Sequence, residues 1–223
     1  MIGILGGLGP AAGCRFYDML IRMCPALRDQ EHPDVILYGK ASVPDRSAFL
    51  LGRSDESPLP AMIGGLRTLE QAGARLIAIP CATAHHFHSE LQSAIGVPIL
   101  NMLALTAQFL AQGGVTRAAL LATEGSYRSG AFYRALEAAG IAAIAPAEDQ
   151  VQALMGMIYA IKSGNLPGKQ ALEDIAKPLL EQGAQRVVLG CTEFSLVGGL
   201  SEIYVDPMRI LAQEILLLAA SNF

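Results

Sequence analysis

Two short segments of the chain place a cysteine where it could do chemistry. The first, PCATAHH, follows an apolar run and contains Cys81, and the second, GCTE, contains Cys191 directly after the apolar run RVVLG. A cysteine thiol can bind a metal ion, attack an electrophile, transfer a proton or pack as a small apolar group. The residue types of the two segments leave all four uses open.

The two cysteines occupy equivalent positions in an internal repeat. The segment LEQAGARLIAIPCATA in the first half resembles LEQGAQRVVLGCTEF in the second, and the spacing from the Gly-Ala pair to the cysteine is identical. The runs ILGGLGP and LLATEGS, which open the two halves, also agree, because each is apolar and ends in small or hydroxyl residues. The sequence therefore predicts two similar lobes, with one cysteine in each.

The segments that must position these thiols alternate between apolar runs and amphipathic stretches of helical length. Most of the amphipathic stretches end in glycine, which is typical of a helix C-terminus. Such alternation predicts an α/β fold with mainly parallel sheets. Because the carboxyl ends of parallel strands face the ligand crevice of an open sheet, we expect Cys81 and Cys191 to face one shared cleft.

A pair of equivalent thiols on either side of one cleft suits the inversion of a stereocentre by proton transfer. One group must remove a proton from one face of the carbon, and another must deliver a proton to the opposite face. A thiolate and a thiol supply this pair. The competing interpretation is that each cysteine only packs in the core, and their matched positions in the repeat argue against it.

The histidines after Cys81 raise the question of a metal site. His85 and His88 lie at helical spacing from Cys81, but structural zinc sites require four ligands, which usually come in closely spaced pairs. We therefore predict no metal and assign His85 to supporting the loop or tuning the thiol. The glycine-rich run GGLGP lacks the third glycine of the dinucleotide fingerprint, so we also predict no nucleotide cofactor.

Composition limits the partners that the protein could have. Only 16% of the 223 residues are charged and the net charge is −4, so no basic field attracts nucleic acid or an acidic membrane. The first apolar run is interrupted by glycines and is too short for a spanning helix or a signal sequence. We therefore predict a cytoplasmic protein that binds small molecules, with its four cysteines as free thiols.

Five motifs, in this order and spread over nearly the whole chain, resemble those of aspartate racemases in the aspartate/glutamate racemase superfamily. They are GGLGP, VPDR at 43–46, PC-x-TAH at 80–85, AIKSGNL at 160–166 and GCTE at 190–193. The resemblance implies two pseudo-symmetric Rossmann-like lobes with the active site between them. It also implies racemisation of aspartate or a related acidic amino acid without pyridoxal phosphate or metal, and a homodimer.

The resemblance also implies a division of the chain and roles for individual residues. The N-terminal lobe would comprise residues 1–101 and 207–223, and the C-terminal lobe residues 102–206. Cys81 and Cys191 match the two proton-transfer cysteines, and Glu193 belongs to the GCTE motif without a definite role. The positions that would bind the substrate are Arg46, Lys162, Ala82, Thr83, Ala84, Ser126 and Thr192.

Ala82 departs from the pattern of the family, in which asparagine ordinarily follows the first cysteine. An asparagine amide would bond the amino or carboxylate group of the substrate, and an alanine methyl group cannot. We therefore expect slow turnover of aspartate or a bulkier substrate. Two alternative functions stay open at this point: a cis-trans isomerase of the maleate type, and a non-catalytic binding protein for acidic amino acids.

Overall fold

Two parallel β-sheets, one in each half of the chain, organise the protein. A computed structural model describes residues 1–221. The first sheet has the order β2-β1-β3 and consists of β1 (Ile2–Gly6), β2 (Val35–Gly39) and β3 (Leu76–Ala78). The second has the order β5-β4-β6-β7 and consists of β4 (Arg117–Leu121), β5 (Ala142–Ile144), β6 (Arg186–Leu189) and β7 (Tyr204–Val205).

The two sheets repeat the same topology. In each, the first strand of the half is central, the second pairs on one side of it and the third on the other, and every pairing is parallel. The prediction of an α/β fold with two similar lobes and mainly parallel sheets is therefore confirmed. The predicted strand VPILN forms only one isolated bridge, between Ile77 and Ile99.

Helices connect the strands and cover the sheets. They are α1 (Pro10–Met23), α2 (Arg46–Leu50), α3 (Leu59–Gln71), α4 (His88–Ser93), α5 (Met102–Gln112), α6 (Glu124–Ser129), α7 (Ala131–Ala138), α8 (Glu148–Lys162), α9 (Lys169–Glu181) and α10 (Pro207–Ala220). Two short 3-10 helices, Thr83–Phe87 and Thr192–Leu196, follow the two cysteines. The sequence did not predict α2 and α6, because helices of five and six residues are too short to show a helical period.

The last helix packs against elements of the first half of the chain. Helix α10 contacts α1 and α5, and the Asp206 side chain caps it by accepting a hydrogen bond from the backbone N–H of Met208 at 2.9 Å. Because α1 belongs to the predicted N-terminal lobe and α5 to the predicted C-terminal lobe, this packing does not test the predicted lobe boundaries, which stay a prediction. Residues 222 and 223 of the predicted N-terminal lobe lie outside the described residues.

A helix that spans a membrane needs about 20 mainly apolar residues. Between residues 1 and 221, no helix is long and apolar enough to cross a membrane. The buried apolar side chains form three clusters: one that contains residues of both sheets together with α1, α5 and α10, one in which α8 and α9 cover the second sheet, and one in which α3 covers the first. The core therefore holds the strand ends, and the residues that follow them, in fixed positions.

Candidate active site

Both repeat cysteines lie at the carboxyl end of a strand and line one small cavity. Cys81 follows β3 and Cys191 follows β6, and each precedes one of the short 3-10 helices. Only 6% of Cys81 and 4% of Cys191 is exposed, and both line the same narrow cavity, whose volume is about 20 Å³. The fold thus brings together two thiols that are 110 positions apart in the sequence.

Most of the predicted substrate-binding residues line this cavity. Arg46, Ala82, Thr83, Lys162 and Thr192 do so. Ala84 and Ser126 are buried but do not line the cavity in the described structure. The lining also includes residues that the sequence analysis did not select, all of them inside or beside its motifs: Leu8, Asp45, Ser47, Thr123 and Glu193.

Three buried hydroxyl groups form a cluster at one side of the cavity. The Thr83 Oγ1 atom lies 3.0 Å from Thr123 Oγ1 and 2.9 Å from Ser126 Oγ. Thr123 and Ser126 are also 2.9 Å apart, and Thr123 Oγ1 accepts the backbone N–H of Ser126 as the cap of α6. Ser126 therefore lies behind the two threonines, and its hydroxyl positions theirs.

The Arg46 guanidinium is buried and bonded to the backbone. Its Nη1 donates to the carbonyls of Val43 and Pro44 at 3.3 and 3.0 Å, and its Nη2 donates to the carbonyl of Leu8. Gly7, whose φ of 89° is in the region that favours glycine, lets the GGLGP loop turn at that point. Arg46 thus joins this loop to the VPDR segment, and its Nε–H donates to no partner among the described side chains and backbone.

Lys162 and Glu193 form an ion pair beside the thiols. Lys162 Nζ lies 3.6 Å from Glu193 Oε1, with the carboxylate almost fully buried. Burial acts to lower the pKa of Lys162, but the negative charge of Glu193 and of a Cys191 thiolate outweighs burial and raises it. Lys162 therefore stays protonated in the neutral pH range, and the cavity keeps a fixed positive charge.

The thiol of Cys191 donates to the same carboxylate. Cys191 Sγ lies 3.0 Å from Glu193 Oε2, and Thr192 Oγ1 lies 3.5 Å from that oxygen. Burial, followed by the charge and hydrogen bond of Glu193, raises the pKa of Cys191 well above its usual value, against the opposing effect of Lys162. The arrangement therefore favours the thiol form of Cys191.

His85 holds the backbone of Cys81 rather than its sulfur. The Nδ1 atom lies 2.9 Å from the Cys81 carbonyl, and Nε2 lies 3.1 Å from the backbone nitrogen of Met102. Because the Met102 N–H must donate, Nε2 accepts and Nδ1 carries the hydrogen that bonds the carbonyl. Burial lowers the pKa of His85 to about 4, so the ring is neutral and links the Cys81 loop to the start of α5.

The histidines of this segment form no metal cluster in the described structure. No three His, Cys, Asp or Glu side chains within residues 1–221 are grouped as a metal site. The rings of His85 and His88 stack with their centres 5.9 Å apart, and His88 Nε2 bonds the Ile99 carbonyl at 3.0 Å. Both histidines thus bond backbone groups, and the absence of a bound metal stays a prediction.

Two parallel sheets with one cavity lined by both repeat cysteines are the arrangement that the resemblance to racemases implies. Residues 5–215 match the family model described as Asp/Glu/Hydantoin racemase. This match covers nearly the whole chain, so the chain belongs to the Asp/Glu/Hydantoin racemase family and is an isomerase. The resemblance to this superfamily drawn from the sequence motifs is confirmed.

Individual relatives agree with this family. The chain is 31% identical over 204 residues to the broad specificity amino-acid racemase RacX of Bacillus subtilis, covering 88% of this chain and 87% of that protein. The structure of aspartate racemase from Picrophilus torridus is similar, with a TM-score of 0.87, 29% identity and coverage of 99% of this chain and 94% of that one. An aspartate racemase homologue from Pyrococcus horikoshii gives a TM-score of 0.78 and 26% identity, with 98% of both chains covered.

Proposed function

We propose that the protein racemises an amino acid by proton transfer at Cα between Cys81 and Cys191, without a cofactor. The observation that carries this proposal is that both repeat cysteines line one cavity and are almost fully buried. Thiols that merely pack would not need to meet at a polar cavity lined by two cations and several hydroxyl groups. Membership of the racemase family supports the same reaction.

The chemistry requires the two sulfurs to act on opposite faces of the same carbon. A thiolate removes the Cα proton, and the electron pair stays on the substrate as a carbanion. The thiol on the other side then donates its proton to Cα and becomes the thiolate. The positive charge of Lys162 stabilises negative charge on the bound carboxylate and the carbanion, and burial strengthens that interaction.

The acidic amino acids, with aspartate first, are the substrates that we propose. Arg46 and Lys162 both line the cavity, so two positive groups are available near a bound dicarboxylate. The likeness to aspartate racemase of Picrophilus torridus supports this choice. A guanidinium or ammonium group gains about 1.5–3 kcal/mol from a hydrogen bond to a carboxylate, enough to prefer aspartate over a neutral amino acid of similar size.

A wider substrate range is the second candidate, and the bonds of Arg46 favour it. Two of its three nitrogens already donate to backbone carbonyls, and Lys162 already faces Glu193. Ala82 lines the cavity with a methyl group, which offers no hydrogen bond that would select a second carboxylate. The likeness to a broad specificity amino-acid racemase supports this candidate. The cavity then selects for the α-amino and α-carboxylate groups, which all amino acids share.

Proton NMR in deuterium oxide tests the reaction directly. Each enantiomer of aspartate, glutamate and alanine is incubated with the enzyme, and we expect Cα exchange together with formation of the opposite enantiomer. Cys81→Ala and Cys191→Ala should each abolish racemisation while still binding substrate, whereas Cys14→Ala, in an exposed position of α1, should not. Near-normal racemisation by either of the first two variants would refute the two-thiol reaction.

The same samples distinguish the alternative functions. A cis-trans isomerase of the maleate type would convert maleate to fumarate, which absorbance in the ultraviolet detects, and would leave Cα unexchanged. A binding protein would bind amino acids without exchange. The homodimer, the cytoplasmic location and the absence of a cofactor stay predictions, and sedimentation velocity at several protein concentrations tests the first of them.

A further inference from the structure

The carboxylate of Glu193 occupies a position that no part of the proposed two-thiol reaction uses. Only 4% of the residue is exposed, and its two oxygens face different partners. Oε2 accepts from the Cys191 thiol at 3.0 Å, and Oε1 faces Lys162 Nζ at 3.6 Å without accepting a hydrogen bond among the described residues. A buried carboxylate with an unsatisfied oxygen costs free energy, so its retention next to a reacting thiol calls for a functional reason.

A glycine from the other half of the chain makes room for this carboxylate. A Cβ atom added at Gly9 would overlap Glu193 Oε1 and would lie 3.4 Å from its Cδ. Gly9 has φ of −143° and ψ of 127° and is the residue directly before α1, so its backbone accommodates any residue. The need for glycine therefore comes from the position of the Glu193 carboxylate and not from the backbone conformation.

We propose that Glu193 is a positioning residue that holds Cys191 as a hydrogen-bonded thiol beside the cavity, and that Gly9 provides the space this carboxylate requires. The inference rests on the proposed two-thiol racemisation. In the direction of reaction that starts with Cys191 as the thiol, Cys191 is the proton donor and Cys81 is the base. The two thiols are equivalent in the repeat but unequal in the folded protein, since Cys81 has no carboxylate bonded to its sulfur among the described residues.

The proton balance follows from this inequality. In one direction the Cα–H bond breaks and its proton passes to the Cys81 thiolate, while the Cys191 Sγ–H bond breaks and its proton passes to Cα. The electron pair of that S–H bond stays on Cys191, which then lies beside the negative Glu193. Repulsion between the two negative charges favours return of a proton to Cys191. The positive charge of Lys162 offsets part of that repulsion, so the Cys191 thiolate can form transiently.

Removing the charge of Glu193 should change the pH at which the Cys191 thiol ionises. In a Cys81→Ala background, the ultraviolet absorbance of the thiolate is titrated with pH, and the same titration of Cys81→Ala/Cys191→Ala is subtracted. Glu193→Gln should move the Cys191 transition to lower pH by at least about one pH unit. Glu193→Asp keeps the charge on a shorter side chain and should lie between the glutamine variant and the native residue.

Gly9→Ala is a second variant. It keeps the glutamate at position 193 but displaces its carboxylate, because the added methyl group overlaps Oε1. It should shift the Cys191 transition in the same direction as Glu193→Gln, with the protein still folded by circular dichroism. Gly64→Ala is the matched control, because Gly64 lies within α3 with no atom within 4 Å of an added Cβ. It should leave the titration unchanged.

In the enzyme with both cysteines, the basic limb of the kcat/KM profile should move to lower pH in Glu193→Gln and in Gly9→Ala. For the enantiomer that Cys81 deprotonates, activity needs Cys191 as a thiol, so ionisation of Cys191 at lower pH narrows the active pH range measured with that enantiomer. An unchanged titration and pH profile in both variants, with racemisation intact, would overturn the role of Glu193 alone. Racemisation that survives Cys191→Ala would instead overturn the two-thiol reaction, so the two failures are distinguishable.

Discussion

The hydroxyl groups of Thr83 and Ser126 lie 2.9 Å apart, although the two residues belong to opposite halves of the chain. Thr83 follows Cys81 in the first half, and Ser126 lies in α6, which begins the second. Thr123 bonds both of them and closes a cluster of three buried hydroxyls. Thr83, two positions after the proposed catalytic residue Cys81, therefore makes a polar contact between the two halves of the chain.

Thr83→Val tests how far this contact serves the reaction. The substitution keeps the shape of the side chain and removes one hydroxyl, so the free energy of unfolding should fall by about 1 kcal/mol. Because Thr83 lines the cavity, kcat/KM should also fall, by about fivefold for the loss of one hydrogen bond worth about 1 kcal/mol. Thr106→Val is the control, since Thr106 is fully buried in α5 and bonds only its own helix at 2.7 Å. Equal activity losses in both variants would assign Thr83 to stability alone.

His85 should make the stability of the protein depend on pH. Burial lowers the pKa of His85 from 6.5 to about 4, so between these values the unfolded chain binds a proton that the folded protein does not. The contribution is fully present above pH 6.5 and is lost as the pH falls toward 4, by an amount on the order of 3 kcal/mol. Urea unfolding of the native protein at pH 7 and pH 5 measures the part of this loss that occurs above pH 5, about 2 kcal/mol.

The variant His85→Leu isolates that contribution. It should be less stable at pH 7 by about 1–3 kcal/mol, because the Cys81 carbonyl and the Met102 N–H lose their partner. Its stability should also change less between pH 7 and pH 5 than that of the native protein. A variant with the native slope would show that other groups carry the pH dependence.

Ala82→Asn asks whether the cavity is otherwise suited to aspartate. The new amide would restore a hydrogen bond to a charged group, and we expect kcat/KM for aspartate to rise about tenfold or more. Steady-state kinetics with aspartate, glutamate and a larger neutral amino acid measure the change. If aspartate turnover stays undetectable while the native enzyme racemises the larger substrate, aspartate is not the substrate and the two-thiol reaction remains.

Lys162→Gln should lower mainly the activity, whereas Arg46→Gln should lower both the activity and the stability. Lys162 forms an ion pair with Glu193 and bonds no backbone carbonyl among the described residues, so its loss should lower kcat/KM for aspartate roughly tenfold to a hundredfold and for alanine less. Arg46 bonds three carbonyls, so its loss should also destabilise the fold. Kinetics with both substrates and thermal unfolding separate the effects. Equal losses for alanine and aspartate in Lys162→Gln would exclude a role in selecting the dicarboxylate.

The local pattern of the sequence was enough to predict the architecture. Apolar runs that alternate with amphipathic stretches determine parallel strands and covering helices, because each element must bury its apolar face against another. The repeated spacing before Cys81 and Cys191 was enough to place both at strand ends, since equivalent segments fold in the same way. The VPILN run shows the limit of this reasoning, because its apolar pattern produced one bridge instead of a strand.

Only the tertiary structure decided what surrounds the two thiols. The contact of Glu193 with Cys191 involves neighbours in sequence, but whether the side chains meet depends on the turn of the 3-10 helix between them. The Glu193 carboxylate lies against Gly9, and the Arg46 guanidinium donates to the Leu8 carbonyl. Each of these contacts joins segments that are far apart in the chain. Such contacts depend on how the two lobes pack, and no periodicity or motif along one segment encodes them. Equivalent positions in the repeat therefore acquired different environments in the folded protein.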